Sequence, residues 1–286
     1  MKIGIGLPTT IPGVTRAQVI EWSKRADAAG FSCLGTIDRL VYPNWDSLVG
    51  LGAAAAVTER IELTTSVLLA PARESAAVIA KQGATIHVLS GGRFVLGTAP
   101  GGRDDDFEPF GVSTKGRGKR LDEMLDLIKR LWAGEEVGYA GGVGPDVSAN
   151  PPPIIVGGQA DAAFRRAAKY GDGWMMGGGP PERFGEARAK LEAAFRDAGR
   201  KEAPRAMSLT YFSLDDNPEA QARSTIGDYY TFIEQYADMI VAGTAKGVDE
   251  VRERVIGFEQ QGCDELIMFP ASSDPAQVDK LAAAVL

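Results

Sequence analysis

Residues 61–100 read IELTTSVLLAPARESAAVIAKQGATIHVLSGGRFVLGTAP. Two apolar runs rich in branched residues, 61–70 and 93–100, flank a stretch, 75–92, whose apolar residues recur at helical spacing. Parallel strands covered on both faces read as continuous apolar runs, and joining two of them takes a crossover helix. The stretch is therefore a strand–helix–strand unit of a parallel sheet.

The same rhythm continues in both directions. Strand-like runs at 1–8, 31–38, 152–158, 173–178, 206–214 and 265–272 alternate with helical stretches at 15–30, 45–60, 118–134, 160–171, 181–199 and 274–286. The clearest helix is 118–134, with Leu121, Met124, Leu125, Ile128 and Leu131 on one face. A single long helical region is expected between 218 and 262. Eight strand–helix units predict an α/β fold, a closed (β/α)8 TIM barrel, because eight parallel strands enclose an interior that side chains can fill. An open doubly wound sheet is the alternative. No Pro- or Ser-rich linker divides the chain, so residues 1–286 are expected to form one domain. The irregular stretches 99–118 and 136–153 are expected to build the mouth of the barrel.

Composition narrows the function. With 44% hydrophobic and 24% charged residues the chain buries a sizeable core, which excludes disorder as its main state. Acidic residues outnumber basic ones 38 to 31 and no Lys/Arg-rich run is present, which argues against nucleic acid as a partner. No apolar run approaches the ~18 residues of a membrane span. The N-terminal MKIGIGLP is too short for a signal segment, and a cytoplasmic protein is expected. Cys33 and Cys263 adjoin apolar runs and read as buried, reduced thiols. The one histidine, His87, excludes zinc sites built from several imidazoles, and no metal is expected. Its place on a helix, before the next strand, puts it at the wrong end of a barrel for chemistry.

In a barrel, chemistry gathers at the C-terminal ends of the strands. Those ends carry no lysine for a Schiff base and no pair of carboxylates. They carry Asp38 beside Arg39, hydroxyls such as Ser66, and many glycines, among them Gly101, Gly102, Gly157 and Gly158. Glycine lets the backbone approach a large planar or phosphorylated ligand, and free N–H groups at helix starts hold anions. The turn from Gly157 through Gln159 into the helix at 160 has that form, although such turns also use glycine simply to turn. The run Asp104 to Asp106 lacks the spacing of a calcium loop and reads as a solvated loop or helix start. Trp22 and Trp132 are expected in the core. Trp45 and Trp174 lie nearer the mouth, where packing and ligand stacking are both open.

Four segments, TSVLLAP (65–71), LSGGRFVLGTAPGGRDDDFEPFGV (89–112), GKRLDEMLDLIKRLW (118–132) and PPIIVGGQADAAFRRAAKYGDGWM (152–175), together resemble the bacterial-luciferase-like family of flavin- and deazaflavin-dependent oxidoreductases. The match in order and spacing spans at least residues 1–180. The resemblance implies a barrel that binds FMN or coenzyme F420 at its C-terminal face. It implies a cis peptide between Ser66 and Val67, in a bulge that backs the ring. Asp38 matches an aspartate near ring and substrate, which makes it the candidate catalytic residue for handling a proton or orienting the substrate. Gly157 and Gly158 match backbone that holds the phosphate or ring edge, and Gly101 and Gly102 match the loop along the tail. Trp174 completes the cofactor-binding set.

Two departures from the family pattern stand out. Arg39 follows Asp38 where F420-dependent members that oxidise alcohols often carry histidine, and Gly101-Gly102-Arg103 occupies the place of an acidic residue. Arg39 is a candidate for a substrate carboxylate, for the cofactor tail, or for an outward ion pair. The short chain and the TSVLL strand resemble the F420-dependent branch. The expected activity is F420-dependent hydride transfer between the deazaflavin C5 and a small organic substrate, with the region 218–262 shaping the pocket. An FMN-dependent monooxygenase, supplied with reduced flavin by a partner reductase, is the alternative. A flavin-binding barrel without turnover is a third reading. A homodimer is compatible with the resemblance.

Overall fold

Eight parallel strands close on themselves: β1 (Lys2–Gly6), β2 (Cys33–Thr36), β3 (Glu62–Thr65), β4 (Phe94–Thr98), β5 (Ile154–Gly157), β6 (Gly173–Met176), β7 (Arg205–Ser213) and β8 (Glu265–Pro270). Each pairs with the next, and β8 returns to β1 in the register Lys2 to Glu265. The computed structural model describes residues 1–73, 75–232 and 234–286. Helices α1 (Arg16–Ala29), α2 (Ser47–Ala55), α3 (Ala76–Leu89), α4 (Arg117–Trp132), α5 (Asp161–Tyr170), α6 (Pro181–Asp197), α7 (Gly247–Gln260) and α8 (Ala276–Val285) complete the (β/α)8 barrel. Among the described residues no helix is long and apolar enough to cross a membrane.

The period of two along each strand divides the core into two layers. Ile154 and Val156 of β5 pack in the layer with the helices, while Ile155 between them joins Cys33, Val95, Met175 and Met207 inside the barrel. Both cysteines are buried and free, with burial pushing the Cys263 thiol up to about 12. An ion cluster closes the N-terminal end, where Arg205 bonds both Glu62 and Glu265.

Three expectations change. The region 218–262 is not one helix. It breaks into a short helix (Pro218–Ala222), a π turn (Arg223–Gly227), a second helix (Glu234–Ala242) and a two-residue strand (Ala245–Lys246) before α7. The stretch 136–153 does not reach the mouth, because it joins a helix to the following strand and so lies at the N-terminal end of the barrel. There it forms a small hairpin, accepts a bond from Lys81 Nζ at Gly144 O (3.2 Å), and brings Asn150 to His87. The third strand stops at Thr65 instead of running to 70, with a cis peptide at Ser66–Val67 and a 3-10 turn at Ala70–Arg73. Strand β4 passes so close to this bend that a Cβ on Gly97 would lie 1.8 Å from Thr65 O.

Candidate functional site

At the C-terminal end, β2, β3, β4, β6 and β7 surround a cavity of about 180 Å3. Its walls include Ser66 and Val67 of the cis peptide, Gly102 and Arg103 after β4, and Leu209 and Tyr211 of β7. Tyr229 and Tyr230, from the segment after the π turn, line it as well. The hydroxyls of Tyr211 and Tyr230 meet at 2.8 Å. Burial pushes the phenols of Tyr211, Tyr229 and Tyr230 above the ordinary tyrosine range, so all three are neutral hydrogen-bonding groups near neutral pH.

Asp38 stands at the wall of this cavity, but its carboxylate is fully buried and fully engaged. It accepts bonds from Arg73 Nη2 (2.6 Å), Arg73 Nε (3.2 Å), Leu69 N (3.0 Å) and Ser47 Oγ (3.2 Å). Four bonds fill the acceptor sites of a carboxylate. Through these bonds Asp38 ties α2, the 3-10 turn and the segment after β3 together.

Arg39 is also turned inward. It is 7% exposed, pairs with Asp105, and has Nε 3.7 Å from Asp106 Oδ2. Asp106 in turn accepts the N–H groups of Leu40 (2.8 Å) and Val41 (3.0 Å). The run expected to be solvated is thus a clamp between the loops after β2 and β4. Arg103 lies with its guanidinium carbon 3.7 Å from the Phe232 ring centroid and 4.8 Å from that of Tyr229.

A second cavity, of about 540 Å3, opens beside the first. Gly101, Gly157, Gly158, Lys115 and Arg117 line it, together with the start of α5. Two helix starts meet here, and neither N-cap side chain, at Gly116 or at Ala160, caps its helix. Alanine at an N-cap leaves amide donors that serine or aspartate would have satisfied, and such donors hold anions. Gly158 has φ +126°, a conformation side chains rarely adopt, and this turns the chain from β5 into α5.

The residues expected from the sequence therefore fall into two groups. Asp38, Ser66, Val67 and Gly102 border the smaller cavity, and Gly101, Gly157 and Gly158 the larger. Trp174 lines neither cavity: it is 0% exposed, packed against Phe164 and Phe184 in the helix layer. Its Nε1–H donates to Gly158 O at 2.5 Å, so it supports the cradle from behind. Trp45 is packed against the same layer. Arg73, Lys115, Tyr229 and Tyr230 were missed, and Arg103 was noted only as standing in place of an acid. Arg103 directly follows the Gly101-Gly102 turn, which is a signal in the sequence, whereas Arg73 and Lys115 follow no glycine turn.

The profile of a family described as luciferase-like monooxygenase matches residues 1–267. An uncharacterized protein of Mycobacterium tuberculosis is 32% identical over 228 residues, 68% of this chain and 78% of the relative. An F420-dependent glucose-6-phosphate dehydrogenase of Nakamurella multipartita is 37% identical over 143 residues, 46% of this chain and 42% of the relative. The solved structure of an F420-dependent secondary alcohol dehydrogenase in complex with an F420–acetone adduct shares the fold. Its TM-score is 0.82 at 17% identity, covering 99% of this chain and 98% of that one.

Proposed function

The chain belongs to the luciferase-like monooxygenase family, and from that premise we propose that it is an F420-dependent oxidoreductase acting on a small organic substrate. The observation that carries this reading is the place of the one histidine. His87 bonds Phe94 O and Asn150 at the N-terminal end, so the mouth presents phenols and the carboxylates of Asp38 and Asp106 but no imidazole. The F420-dependent name of the Nakamurella relative supports the same choice.

The larger cavity fits a phosphate-bearing cofactor, because its uncapped helix starts and Lys115 face one space with no backbone Cβ at Gly157 or Gly158 in the way. Gly157, Gly158 and Lys115 would hold the phosphate, Gly101 the tail, and Ser66, Val67 and Gly102 would border the ring. When bound, F420 supplies a ring carbon that gives or takes a hydride. Tyr211 and Tyr230, both neutral and joined at their hydroxyls, would orient a substrate oxygen by hydrogen bonding rather than take up its proton. Asp38 acts as a positioning residue for the segment after β3. A cavity of about 180 Å3 is smaller than the ~300–1,000 Å3 of typical ligand pockets. The segment from Tyr229 to Phe232 therefore moves outward to admit ring and substrate, and its return excludes water.

A second reading, an FMN-dependent monooxygenase fed by a reductase, is favoured by the description of the family itself. Parallel titrations with F420 and FMN decide between them. Trp174, bonded to Gly158 O, is a reporter for the cradle. F420 is expected to bind with a Kd of about 1 μM or tighter and FMN at least ~10-fold more weakly. Tighter binding of FMN replaces the F420 reading, and binding of neither removes both.

A further inference from the structure

We propose that Arg103 and Ser66 form an anion subsite in the smaller cavity, suited to a substrate that carries a carboxylate. The inference rests on that cavity being the substrate end of the site proposed above.

Pairing off the charges at the cavity isolates one guanidinium. Asp38 is matched by Arg73, and Asp106 by Arg39, which also meets the half-exposed Asp105. Asp46, the other partner of Arg73, is half-buried at the far side of that ion pair. Arg103 remains. Among the described residues it has no carboxylate partner, and its Nη1 is buried without any hydrogen-bond partner. The rings of Phe232, Tyr229 and Tyr230 cover the guanidinium. Rings stabilise a cation through its face, but they leave its in-plane N–H donors unsatisfied.

Ser66 supplies a second donor without a partner. Its residue is 3% exposed, and its Oγ is buried and unbonded while lining the same cavity. Buried polar groups are nearly always paired. Arg103 Nη1 and Ser66 Oγ are unpaired donors at this cavity, and the unbonded Asp106 Oδ2 there, 3.7 Å from Arg39 Nε, is hydrogen-bonded to neither. An acceptor entering from outside would satisfy them. A carboxylate suits a guanidinium edge and a hydroxyl together. A doubly charged phosphate suits the cavity less well, since the buried Asp106 carboxylate borders it too.

The test uses benzoate and benzamide, alike in shape and different in charge, with binding measured by calorimetry on the protein as purified and after saturation with the cofactor it prefers. Benzoate is expected to bind at least ~10-fold more tightly than benzamide, a gap of about 1.4 kcal/mol. In Arg103→Gln the preference should fall below about twofold, and Arg103→Lys should retain part of it, as a charge without the planar fork would. Equal binding of the two, binding of neither, or an unchanged preference in Arg103→Gln overturns the inference. So does a loss of F420 or FMN affinity in Arg103→Gln with the benzoate preference intact, which makes the guanidinium a cofactor contact. The two proposals fail separately. Benzoate preference with neither cofactor bound leaves the anion subsite standing and removes the functional reading, and F420 binding without benzoate preference does the reverse.

Discussion

Arg73 grips Asp38 through two nitrogens, Nη2 to Oδ1 at 2.6 Å and Nε to Oδ2 at 3.2 Å, across 35 positions of sequence. The pair joins the end of β2 to the 3-10 turn that follows the cis peptide. Breaking a buried pair by removing one partner typically destabilises by ~3–5 kcal/mol, because the other charge is left without a partner. Arg73 keeps Asp46 at 2.7 Å, which places the expected loss for Asp38→Ala near ~3 kcal/mol. Combining Asp38→Ala with Arg73→Met should be less harmful than the sum of the single changes, by more than ~1 kcal/mol in urea unfolding. Strict additivity would show that the two residues do not act as a unit.

Gly97 sets a steric limit beside the same bend. A Cβ there would sit 1.8 Å from Thr65 O, and that oxygen belongs to backbone held in the barrel. Gly97→Ala should therefore destabilise the protein by more than ~3 kcal/mol, or abolish folding, as overpacking against an immovable neighbour does. Gly102→Ala is the control, since no atom lies within 4 Å of its Cβ position. A thermal melt of Gly97→Ala within a few degrees of the parent would mean that β4 can retreat.

The barrel was legible because it is written in periodicity. Continuous apolar runs and a crossover helix after each are local signals, and in the structure Thr15 and Gln18 form a capping box at the start of α1, which ends at Gly30. The site was legible only in part. Glycine turns mark where a ligand can approach, and Gly157 and Gly158 do line a cavity. A carboxylate at a strand end, however, does not announce its partner, and Arg73 lies in a turn with no period to place it beside Asp38. Trp174 could have been placed by alternation: with Met175 inside the barrel, its neighbour must face the helices. The segment from Tyr229 to Phe232 was hidden for another reason. It follows a π turn inside a stretch that reads as helix, and nothing local says that it folds over the mouth.

Acid should act through His87. The imidazole is 3% exposed, and burial lowers its pKa from the ordinary 6.5 despite its contacts with Phe94 O and Asn150. The folded protein thus keeps the ring neutral while the unfolded chain takes up a proton near pH 6.5. The stability this contributes is complete above that pH and is lost as the pH falls through the lowered folded value. Between pH 7 and 5 the parent should lose more stability in urea unfolding than His87→Gln, whose side chain does not titrate. Parallel pH profiles for the two proteins would contradict the assignment.

The start of α5 offers the sharpest separation of stability from ligand binding. Ala160 is its N-cap and makes no side-chain bond, whereas aspartate at an N-cap stabilises a helix by ~1 kcal/mol relative to alanine. On structural grounds alone Ala160→Asp should raise the melting temperature by a few degrees. The new carboxylate would bond the same amides that the cradle offers to a phosphate, and would repel it as well. Affinity for the phosphate-bearing cofactor is therefore expected to fall by at least ~10-fold, or about 1.4 kcal/mol, in the Trp174 titration. Lys115→Ala should lower affinity in the same direction without the gain in stability, because its exposed ammonium contributes charge and not a cap. A protein that becomes more stable while binding its cofactor unchanged would show that the α5 amides hold no phosphate, and the cradle would then be only a turn.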